Sequence, residues 1–425
     1  MSKLFCMFPK IHIFVIKNNN NLKSWLVNTY KTVTFKLSKE FYNMNVVDLF
    51  SGCGGLALGF KWAGFQTLLA SDVDENCEKT YTYNFPDVPF IKNDLRDIST
   101  NELKKHLLKT VDVVVGGPPC QGFSLANKNR NKAKSDPRNE LFYEFVRVVT
   151  DLQPKAFVME NVRGLLSMQK GQVIKLMQKE FENAGIGYQV DYQVLTASDY
   201  GVPQNRQRVI MIGIRKDLNK QPVFPKKTYK KPVTVWDAIS DLPQINASEG
   251  TEKMTYKTKA SNAYQEFIRK QSTLVYNHIA MRHTQRLISR FQVIKAGESL
   301  AHVSQEHAAV KRGNPKEKSK IVFSQNNQRL HADKPAPTIA ASFQSNFIHP
   351  FLHRNFTARE GARLQSFPDT FIFQGMRTKM SWEKGLSQYQ QIGNAVPPLL
   401  GYAIAKSLQE TLTGIDISNK KLFEN

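Results

Sequence analysis

Short apolar runs alternate with helical patterns through the first half of the chain, beginning near residue 45. The run at 46–50 leads into a glycine loop, the β-branched run at 111–115 has the character of a buried strand, and residues 156–159 are predicted to form another strand. Residues 139–152 place apolar side chains at helical spacing. This alternation predicts an α/β fold with a doubly wound, mostly parallel sheet and helices on both faces. In such sheets the working residues gather beyond the carboxyl ends of the strands.

The pattern changes after residue 214, where proline, lysine, asparagine and glutamine become frequent and the strand–helix rhythm stops. We therefore predict a second, smaller and irregular domain, followed by a helix that returns to the first domain. The predicted divisions are a basic amino-terminal extension at 1–44, the first domain at 45–215, the smaller domain at 216–385, a returning motif and helix at 386–413, and a tail at 414–425.

Charge adds information about partners, because 59 Lys and Arg residues against 36 Asp and Glu give a net charge of +23 and an isoelectric point near 9.7. The surplus is uneven: residues 216–330 hold 21 basic and 9 acidic side chains, whereas 45–215 hold 21 and 19. Any single lysine is best explained as a solvated surface residue. A concentrated basic block beside a nearly neutral one indicates a polyanionic partner, and nucleic acid comes first.

Composition also excludes several classes of protein. No apolar run approaches the roughly 18 to 20 residues of a membrane span, so no membrane partner is expected. The four cysteines, Cys6, Cys53, Cys77 and Cys120, are far apart without a C-x-x-C pair, which argues against a disulfide framework or a metal site. We find no signal peptide and expect a cytoplasmic, nucleoid-associated protein.

The glycine loop after the first strand, Gly52-x-Gly54-x-x-Ala57, satisfies a loose dinucleotide fingerprint, and Asp72 ends the next strand. Glycines let the backbone approach a ligand, and such a carboxylate can accept hydrogen bonds from two ribose hydroxyls. Glycine is equally common in a strand-to-helix turn for steric reasons, and Asp72 could instead cap a helix. The loop does not distinguish a dinucleotide from S-adenosylmethionine.

The most specific local feature is the segment 116–124, in which Cys120 follows two prolines and glycines flank both. A structural cysteine usually lies among aliphatic residues inside an element, which is the reading we favour for Cys53 and Cys77. A thiol in a stiff loop at the end of a buried strand is instead typical of a nucleophile, whose thiolate needs nearby positive charge.

Five motifs occur in an order and spacing that resemble those of the DNA (cytosine-5) methyltransferases of prokaryotic restriction–modification systems. They are Asp48-Leu-Phe-Ser-Gly-Cys-Gly-Gly, Pro118-Pro-Cys-Gln-Gly-Phe-Ser, Glu160-Asn-Val-Arg-Gly, Gln204-Asn-Arg-Gln-Arg-Val and Gln391-Ile-Gly-Asn-Ala-Val-Pro-Pro. The resemblance runs from about residue 45 to 406 and fails only in the basic middle and at the two ends. It implies a Rossmann-like catalytic and cofactor-binding domain at 45–215 and a target-recognition domain at 216–385.

The resemblance assigns a role to each catalytic residue. Cys120 would attack carbon 6 of cytosine and so make carbon 5 nucleophilic, while Glu160 would supply or share a proton at ring N3. Arg206 and Arg208 are two apart on a predicted strand and therefore share a face. Arg208 would contact the base and Arg206 would brace the site.

The cofactor implied by the resemblance is S-adenosylmethionine. Phe50 would stack on adenine, Asp72 would hold the ribose, and Asp94 would accept from the adenine amino group. Asn394 and Val396 would close the pocket from the carboxyl-terminal motif. The full set of implied cofactor-binding residues is Phe50, Ser51, Gly52, Gly54, Gly55, Asp72, Val73, Asp94, Leu95, Pro119, Asn394 and Val396.

The substrate implied by the resemblance is double-stranded DNA, from which the target cytosine must be flipped out because a stacked base is out of reach. The basic block at 216–330 would face the duplex. Candidate phosphate contacts are Lys226, Lys227, Lys230, Lys231 and the cluster at 311–320. We expect a monomer whose functional, not physical, partner is a cognate restriction endonuclease.

Two other segments fit the resemblance less directly. The stretch 356–368 is similar to a family motif that organises the smaller domain, and we interpret Arg359, Glu360 and Arg363 there as structural. Residues 1–43 depart from the family, many of whose members begin at the first strand. We interpret them as a poorly ordered extension or an upstream start.

Three alternatives stay open at this point. The first is a methyltransferase for cytosine in tRNA or other RNA with the same active site, although the long basic region favours duplex DNA. The second is a nicotinamide-dependent dehydrogenase, which the glycine loop allows but which does not explain Cys120. The third is a catalytically silent DNA-binding protein, against which the intact Cys120 and Glu160 argue.

Overall fold

The computed structural model describes residues 44–119, 137–311, 314–318, 326–379, 382–416 and 422–423. The strands of its central sheet are β1 (Asn45–Leu49), β2 (Gln66–Asp72), β3 (Phe90–Lys92), β4 (Val113–Gly116), β5 (Ala156–Val162), β6 (Tyr188–Thr196) and β7 (Gln207–Arg215). Their order is β3-β2-β1-β4-β5-β7-β6. The pairs among β1 to β5 are parallel, and β7 is antiparallel to both of its neighbours. The predicted mostly parallel α/β sheet is confirmed.

Helices connect and cover these strands and continue to the end of the described chain. They are α1 (Gly55–Trp62), α2 (Glu75–Asn84), α3 (Thr100–Lys105), α4 (Pro137–Leu152), α5 (Gln172–Glu182), α6 (Val235–Ile239), α7 (Ala263–Arg269), α8 (Gln285–Val293), α9 (Phe343–Asn346), α10 (Ala358–Leu364), α11 (Gln388–Asn394) and α12 (Pro398–Thr413). In the part of the chain that the structure describes, none of them has both the length and the apolar character needed to cross a membrane.

Both faces of the sheet are buried, because alternate residues of each strand belong to different cores. Val46 and Val158 pack on one side with α1 and α12, whereas Val47 and Met159 pack on the other with α4 and α5. Strands covered on both faces are expected to be continuously apolar, as residues 113–115 of β4 and 156–159 of β5 are. Helices on both faces follow directly from this pattern.

The register of the sheet brings distant motifs to one edge. Leu49 at the end of β1 pairs with Gly116 at the end of β4, and Gly116 in turn pairs with Met159 of β5. Because β7 is antiparallel to β5, its first residues lie at the same edge, and Arg208 is paired with Val162. The end of the Glu160 motif and the start of the Arg208 motif are therefore adjacent.

The second half of the chain contributes short strands and short helices. The strands are β8 (Gly250–Thr255), β9 (Leu274–Ile279), β10 (Val310–Lys311), β11 (Asn314–Lys318), β12 (Gln328–Arg329) and β13 (Phe347–Ile348), which form three two-stranded sheets within the described residues. Apolar residues of this region, such as Val235 and Tyr264, extend the core on the α1 face of the central sheet. The assignment of 216–385 as a separate domain stays a prediction.

Candidate active site

A cavity of about 510 Å³ lies at the edge where β1, β2, β4 and β5 end and β7 begins. Its volume is in the range that small-molecule sites occupy. The predicted site residues that line it are Phe50, Ser51, Gly52, Gly55, Asp72, Val73, Asp94, Leu95, Pro119, Glu160, Arg206, Arg208, Asn394 and Val396. Cys120 lies outside the described residues. Motifs separated by more than 300 residues thus meet at one cavity.

Gly54 was predicted to bind the cofactor, but it is not among the residues that line the cavity. It precedes α1 with a backbone φ of 93°, in the left-handed region that favours glycine. A Cβ atom at this position would come within 2.6 Å of the Phe85 ring and 3.0 Å of the Tyr81 ring. The glycine is therefore explained by backbone conformation and by packing against α2.

Asp72 holds the glycine loop against the end of β2. Its Oδ2 accepts from the backbone N–H of Gly52 at 2.8 Å, and its Oδ1 accepts from that of Asp74 at 3.0 Å. Burial raises the pKa of this carboxyl group, and the two backbone N–H donors act in the opposite direction. A carboxylate oxygen can accept two hydrogen bonds, so each oxygen keeps capacity for one ligand hydroxyl.

Phe50 has a strained backbone at the mouth of the same loop. Its φ of 52° is unusual for a residue with a side chain, and Phe50 lines the same cavity as Asp72. Strain of this kind persists where the surrounding structure over-determines it, and it clusters at ligand sites. The backbone therefore supports a ligand-binding role for the aromatic face.

Glu160 and Arg208 form an ion pair on the wall of the cavity. Oε1 of Glu160 lies 2.7 Å from Nε of Arg208, and each side chain is 13% exposed. The pair is not aligned as a hydrogen bond, and Nε of Arg208 has no acceptor among the described residues. The carboxylate and the guanidinium group are thus close, partly accessible, and not fully satisfied by the protein.

Arg206 is buried beside this pair. Its terminal nitrogen donates to the carbonyl oxygen of Ile339 at 2.9 Å, while its Nε has no acceptor in the described part of the chain. Burial, and then the charge of Arg208, lower its pKa to about 9, an effect that Glu160 partly offsets. Arg206 therefore remains a cation at neutral pH and holds the segment that carries Ile339 to the wall of the cavity.

The chain that leads to Cys120 is fixed up to Pro119. The side-chain amide of Asn161 donates to the carbonyl oxygen of Pro118 at 3.0 Å in a buried environment. Gly117 lies so close to Glu160 that a Cβ atom would be 3.1 Å from its Oε2. The residues after Glu160 and those before Cys120 are therefore held together by the Asn161 side chain.

The carboxyl-terminal motif closes the cavity from the other side. Leu386 donates its backbone N–H to Oδ2 of Asp74 at 2.8 Å and accepts from the Asn76 amide at 3.1 Å. In α11, Oε1 of Gln391 accepts from the hydroxyl of Thr80 at 2.6 Å. These bonds fasten the segment that carries Asn394 and Val396 to the start of α2.

Several cavity residues were not predicted. Asp48 is buried in β1, and neither of its carboxylate oxygens has a hydrogen-bond partner among the described residues. Burial, and then repulsion from Asp72, raise its pKa well above the ordinary value, an effect that the nearby Tyr81 hydroxyl partly offsets. Its place inside an otherwise apolar strand was a signal, because a carboxyl group is rarely buried without a purpose.

A second missed group comes from the segment after β12. Thr338, Ala340 and Ala341 line the cavity, and a bridge between Gln204 and Ala336 brings their segment to the start of β7. No local pattern marks these residues, because their position depends on contacts between distant parts of the chain. Cys53 and Cys77 also line the cavity, and burial raises the pKa of both thiols, which keeps them protonated.

Comparison with known proteins agrees with this architecture. Residues 44–410 match the family described as C-5 cytosine-specific DNA methylase. The type II methyltransferase M.DdeI of Desulfomicrobium norvegicum is 54% identical over 383 residues, which cover 88% of this chain and 91% of that protein. The type II methyltransferase M1.HphI of Haemophilus parahaemolyticus is 38% identical, with 90% and 92% covered.

A solved structure also aligns with most of the chain. It is that of a candidate DNA modification methyltransferase encoded within an E. coli prophage, at 28% identity and a TM-score of 0.69, and the match covers 87% of this chain and 99% of that one. The chain therefore belongs to the C-5 cytosine-specific DNA methylase family and is a type II DNA (cytosine-5-)-methyltransferase.

Proposed function

We propose that the protein transfers a methyl group from S-adenosylmethionine to carbon 5 of a cytosine flipped out of a specific short sequence in duplex DNA. The observation that carries this proposal is the placement of Glu160 and Arg208, 2.7 Å apart, on the wall of the cavity that Phe50 and Asp72 also line. A cofactor side and a base side thus share one space. Family membership excludes the dehydrogenase that the glycine loop alone allowed.

The residues on the cofactor side fit S-adenosylmethionine. Asp72 keeps one acceptor position on each carboxylate oxygen, which suits the two ribose hydroxyls, and Phe50 offers an aromatic face for adenine. When bound, the cofactor supplies an electrophilic methyl group on a sulfonium. Asp72, Phe50 and the carboxyl-terminal residues Asn394 and Val396 hold it in place and exclude water from the cavity.

On the base side, Cys120 begins the reaction. Its thiolate forms a bond to carbon 6, and the displaced electron pair of the ring makes carbon 5 nucleophilic. Glu160 holds a proton at N3 as negative charge develops, and Arg208 stabilises the carboxylate and the base carbonyl. After methylation, a general base removes the proton from carbon 5. The bond between the Cys120 sulfur and carbon 6 then breaks, and the double bond between carbons 5 and 6 is restored.

DNA binding is assigned to the basic block at 216–330. Base flipping costs a few kcal/mol of stacking and pairing, which phosphate contacts must offset. Among the candidate lysines, Lys227 lies 3.1 Å from Oδ2 of Asp199, but 76% of its side chain is exposed. It can therefore exchange that partner for a phosphate. Binding to duplex DNA is expected to weaken steeply as salt is added.

The decisive experiment is expression in a host that lacks DNA methylation, followed by mapping of 5-methylcytosine across the host DNA. A recurring short motif is expected, and Cys120→Ala should remove the modification while DNA binding persists. Modified RNA with unmodified DNA would instead establish the RNA methyltransferase. The absence of modification in both, with DNA binding retained, would mean a silent DNA-binding protein.

We also propose that the protein acts as a monomer, with a restriction endonuclease of the same recognition sequence as its functional partner. Light scattering of the purified chain with and without DNA tests the first statement. Protection of methylated host DNA against endonucleases of matching specificity tests the second.

A further inference from the structure

Asp94, the residue expected to accept a hydrogen bond from the adenine amino group, is itself hydrogen-bonded to the neighbouring Arg96. Oδ1 of Asp94 accepts from the backbone N–H and from Nε of Arg96, both at 3.0 Å, and Oδ2 accepts from a terminal nitrogen of Arg96 at 2.8 Å. Two bonds use the capacity of Oδ1, whereas Oδ2 retains room for one more donor. Asp94 lines the cavity, so this remaining acceptor position on Oδ2 is the one that a ligand in the cavity can use.

The other side of Arg96 is fixed to α4. A terminal nitrogen of Arg96 donates to Oε2 of Glu140 at 3.0 Å, in the first turn of that helix. The next residue, Leu141, lines the cavity. Arg147, two turns further along α4, donates to the carbonyl oxygens of Leu95 and Ile98 at 3.2 and 2.9 Å. The turn that carries Asp94 is therefore docked on the helix whose start lines the cavity.

We propose that Arg96 is a positioning residue for the adenine ring of the cofactor. It presents Oδ2 of Asp94 as an ionised acceptor and, through Glu140, keeps that acceptor in register with the first turn of α4. This inference rests on the proposed function, because it takes the ligand of the cavity to be S-adenosylmethionine.

The physical basis is the fork that Arg96 forms with Asp94. A lone aspartate at a partly exposed position would lose rotamer freedom on binding, whereas a carboxylate already held by two parallel bonds is preorganised. Hydrogen bonds from Arg96 also lower the pKa of Asp94. An ionised carboxylate accepts but does not donate, so it favours a 6-amino group on the purine and disfavours a 6-carbonyl oxygen.

The test compares two ligands that differ at this position and in the proton that the adjacent ring N1 carries. Calorimetry on the full chain measures the Kd of S-adenosylhomocysteine and of S-inosylhomocysteine, in which a carbonyl replaces the amino group. The wild type should prefer the amino ligand at least ~10-fold, since a site built for one donor rejects an acceptor there. Arg96→Gln should weaken S-adenosylhomocysteine binding about 10-fold and shrink the preference toward parity, with kcat at saturating cofactor unchanged.

Three further variants separate positioning from a general loss of structure. Arg96→Lys keeps the charge but not the fork and should restore only part of the preference, and Glu140→Gln should have a smaller effect in the same direction. Arg215 makes a similar fork with Asp217, at 2.9 and 3.1 Å, near the opposite end of β7. Arg215→Gln should leave both affinities and their ratio at wild-type values.

The outcomes are distinguishable. Equal weakening of both ligands by Arg96→Gln, or an unchanged ratio in Asp94→Asn, would overturn the inference while leaving the proposed function intact. Binding of neither ligand by the wild type would contradict the proposed cofactor itself, before any variant is considered.

Discussion

Two arginine–carboxylate pairs in this molecule differ in how completely the protein satisfies them. Glu160 and Arg208 approach to 2.7 Å on the wall of the cavity, remain partly exposed and leave a guanidinium N–H without an aligned acceptor among the described residues. Glu360 is buried in α10, and its two oxygens accept from Arg354 at 2.7 and 2.8 Å and from the backbone N–H of Thr357 at 2.8 Å.

The difference is the one expected between a carboxylate that acts on a substrate, as proposed for Glu160, and a structural one. Burial acts to raise the pKa of Glu360, but the charge and hydrogen bonds of Arg354 outweigh it and lower the pKa. Arg363 and Arg359 nearby are buried in the same way and pair with Asp369. These contacts use the donors and acceptors of the buried arginines and carboxylates around α10. The Glu160 pair, in contrast, keeps hydrogen-bonding capacity for a substrate.

Glu160→Gln should produce the largest effect on chemistry. Glutamine keeps the shape but cannot deliver a proton to N3, so kcat should fall by about 10²- to 10⁴-fold, the usual contribution of a general acid. Single-turnover methylation of a duplex substrate measures the loss. Thermal melting should change far less than in Glu360→Gln, because the pair that Glu160 makes with Arg208 is still partly exposed. Cofactor affinity should stay at the wild-type value. A variant that retained near-normal turnover would contradict the assignment of Glu160 as the acid.

Glu360→Gln should lower stability and leave the rate of methylation nearly unchanged. Removing the negative partner of a buried arginine leaves an uncompensated charge, which costs roughly 3 to 5 kcal/mol of folding free energy. Urea denaturation measures this change, and any protein that remains folded should methylate at a near-normal rate. Glu75→Gln, which removes an exposed pair with Lys79 on α2, is the matched surface control and should not shift the transition. Equal stability of Glu360→Gln and Glu75→Gln would mean that the buried pair of Glu360 stabilises the fold no more than an exposed pair does.

Much of the catalytic edge was accessible from sequence, because its residues obey local rules. Asp72 is the last residue of β2 and Glu160 lies near the end of β5, and the carboxyl ends of parallel strands meet at one edge. Arg206 and Arg208 were expected to share a face of one strand; β7 begins at Gln207, so only Arg208 lies in it, although both arginines line the cavity. The order of the motifs then indicated which strands mattered.

What sequence could not predict depends on long-range geometry. The antiparallel direction of β7, which brings Arg208 beside Val162, leaves no local mark. Thr338 lies at the cavity because its segment is held to the start of β7, by the bridge between Ala336 and Gln204 and by the hydrogen bond from Ile339 to Gln204. The satisfied ion pairs of α10 were anticipated as structural from a motif, but their partners lie up to 122 residues away, as Asp241 does from Arg363.

Asp72→Asn tests the cofactor side with a smaller expected effect. Both carboxylate oxygens accept from backbone N–H groups, so an asparagine must aim its own NH₂ at one of those donors. We expect cofactor affinity to fall about 10- to 100-fold, and kcat at saturating cofactor to change less. Calorimetric titration with S-adenosylhomocysteine measures the affinity. An affinity equal to the wild type would remove Asp72 from the ribose site.

The smallest expected effect is on the pH dependence of stability, and it comes from a histidine beside the buried Glu360. His349 is buried next to Glu360, with Nε2 3.9 Å from Oε1, and its Nδ1 accepts from the backbone N–H groups of Phe351 and Leu352 at 3.2 and 3.0 Å. Protonation at Nδ1 would break both bonds. Burial, opposed in part by Glu360, lowers the pKa of His349 to about 3, from an ordinary value of 6.5.

The sign of the pH effect follows from that difference. Because the unfolded chain binds the proton more readily, the contribution of His349 to stability is complete above about pH 6.5 and is lost as pH falls toward 3. At about pH 5 the loss should be about 2 kcal/mol relative to neutral pH. His349→Asn, which keeps an acceptor but does not titrate, should flatten this part of the urea-denaturation profile. Burial also lowers the pKa of His278, so a residual slope of the same sign should persist. A slope identical to the wild type would mean that burial does not lower the pKa of His349 in the folded protein.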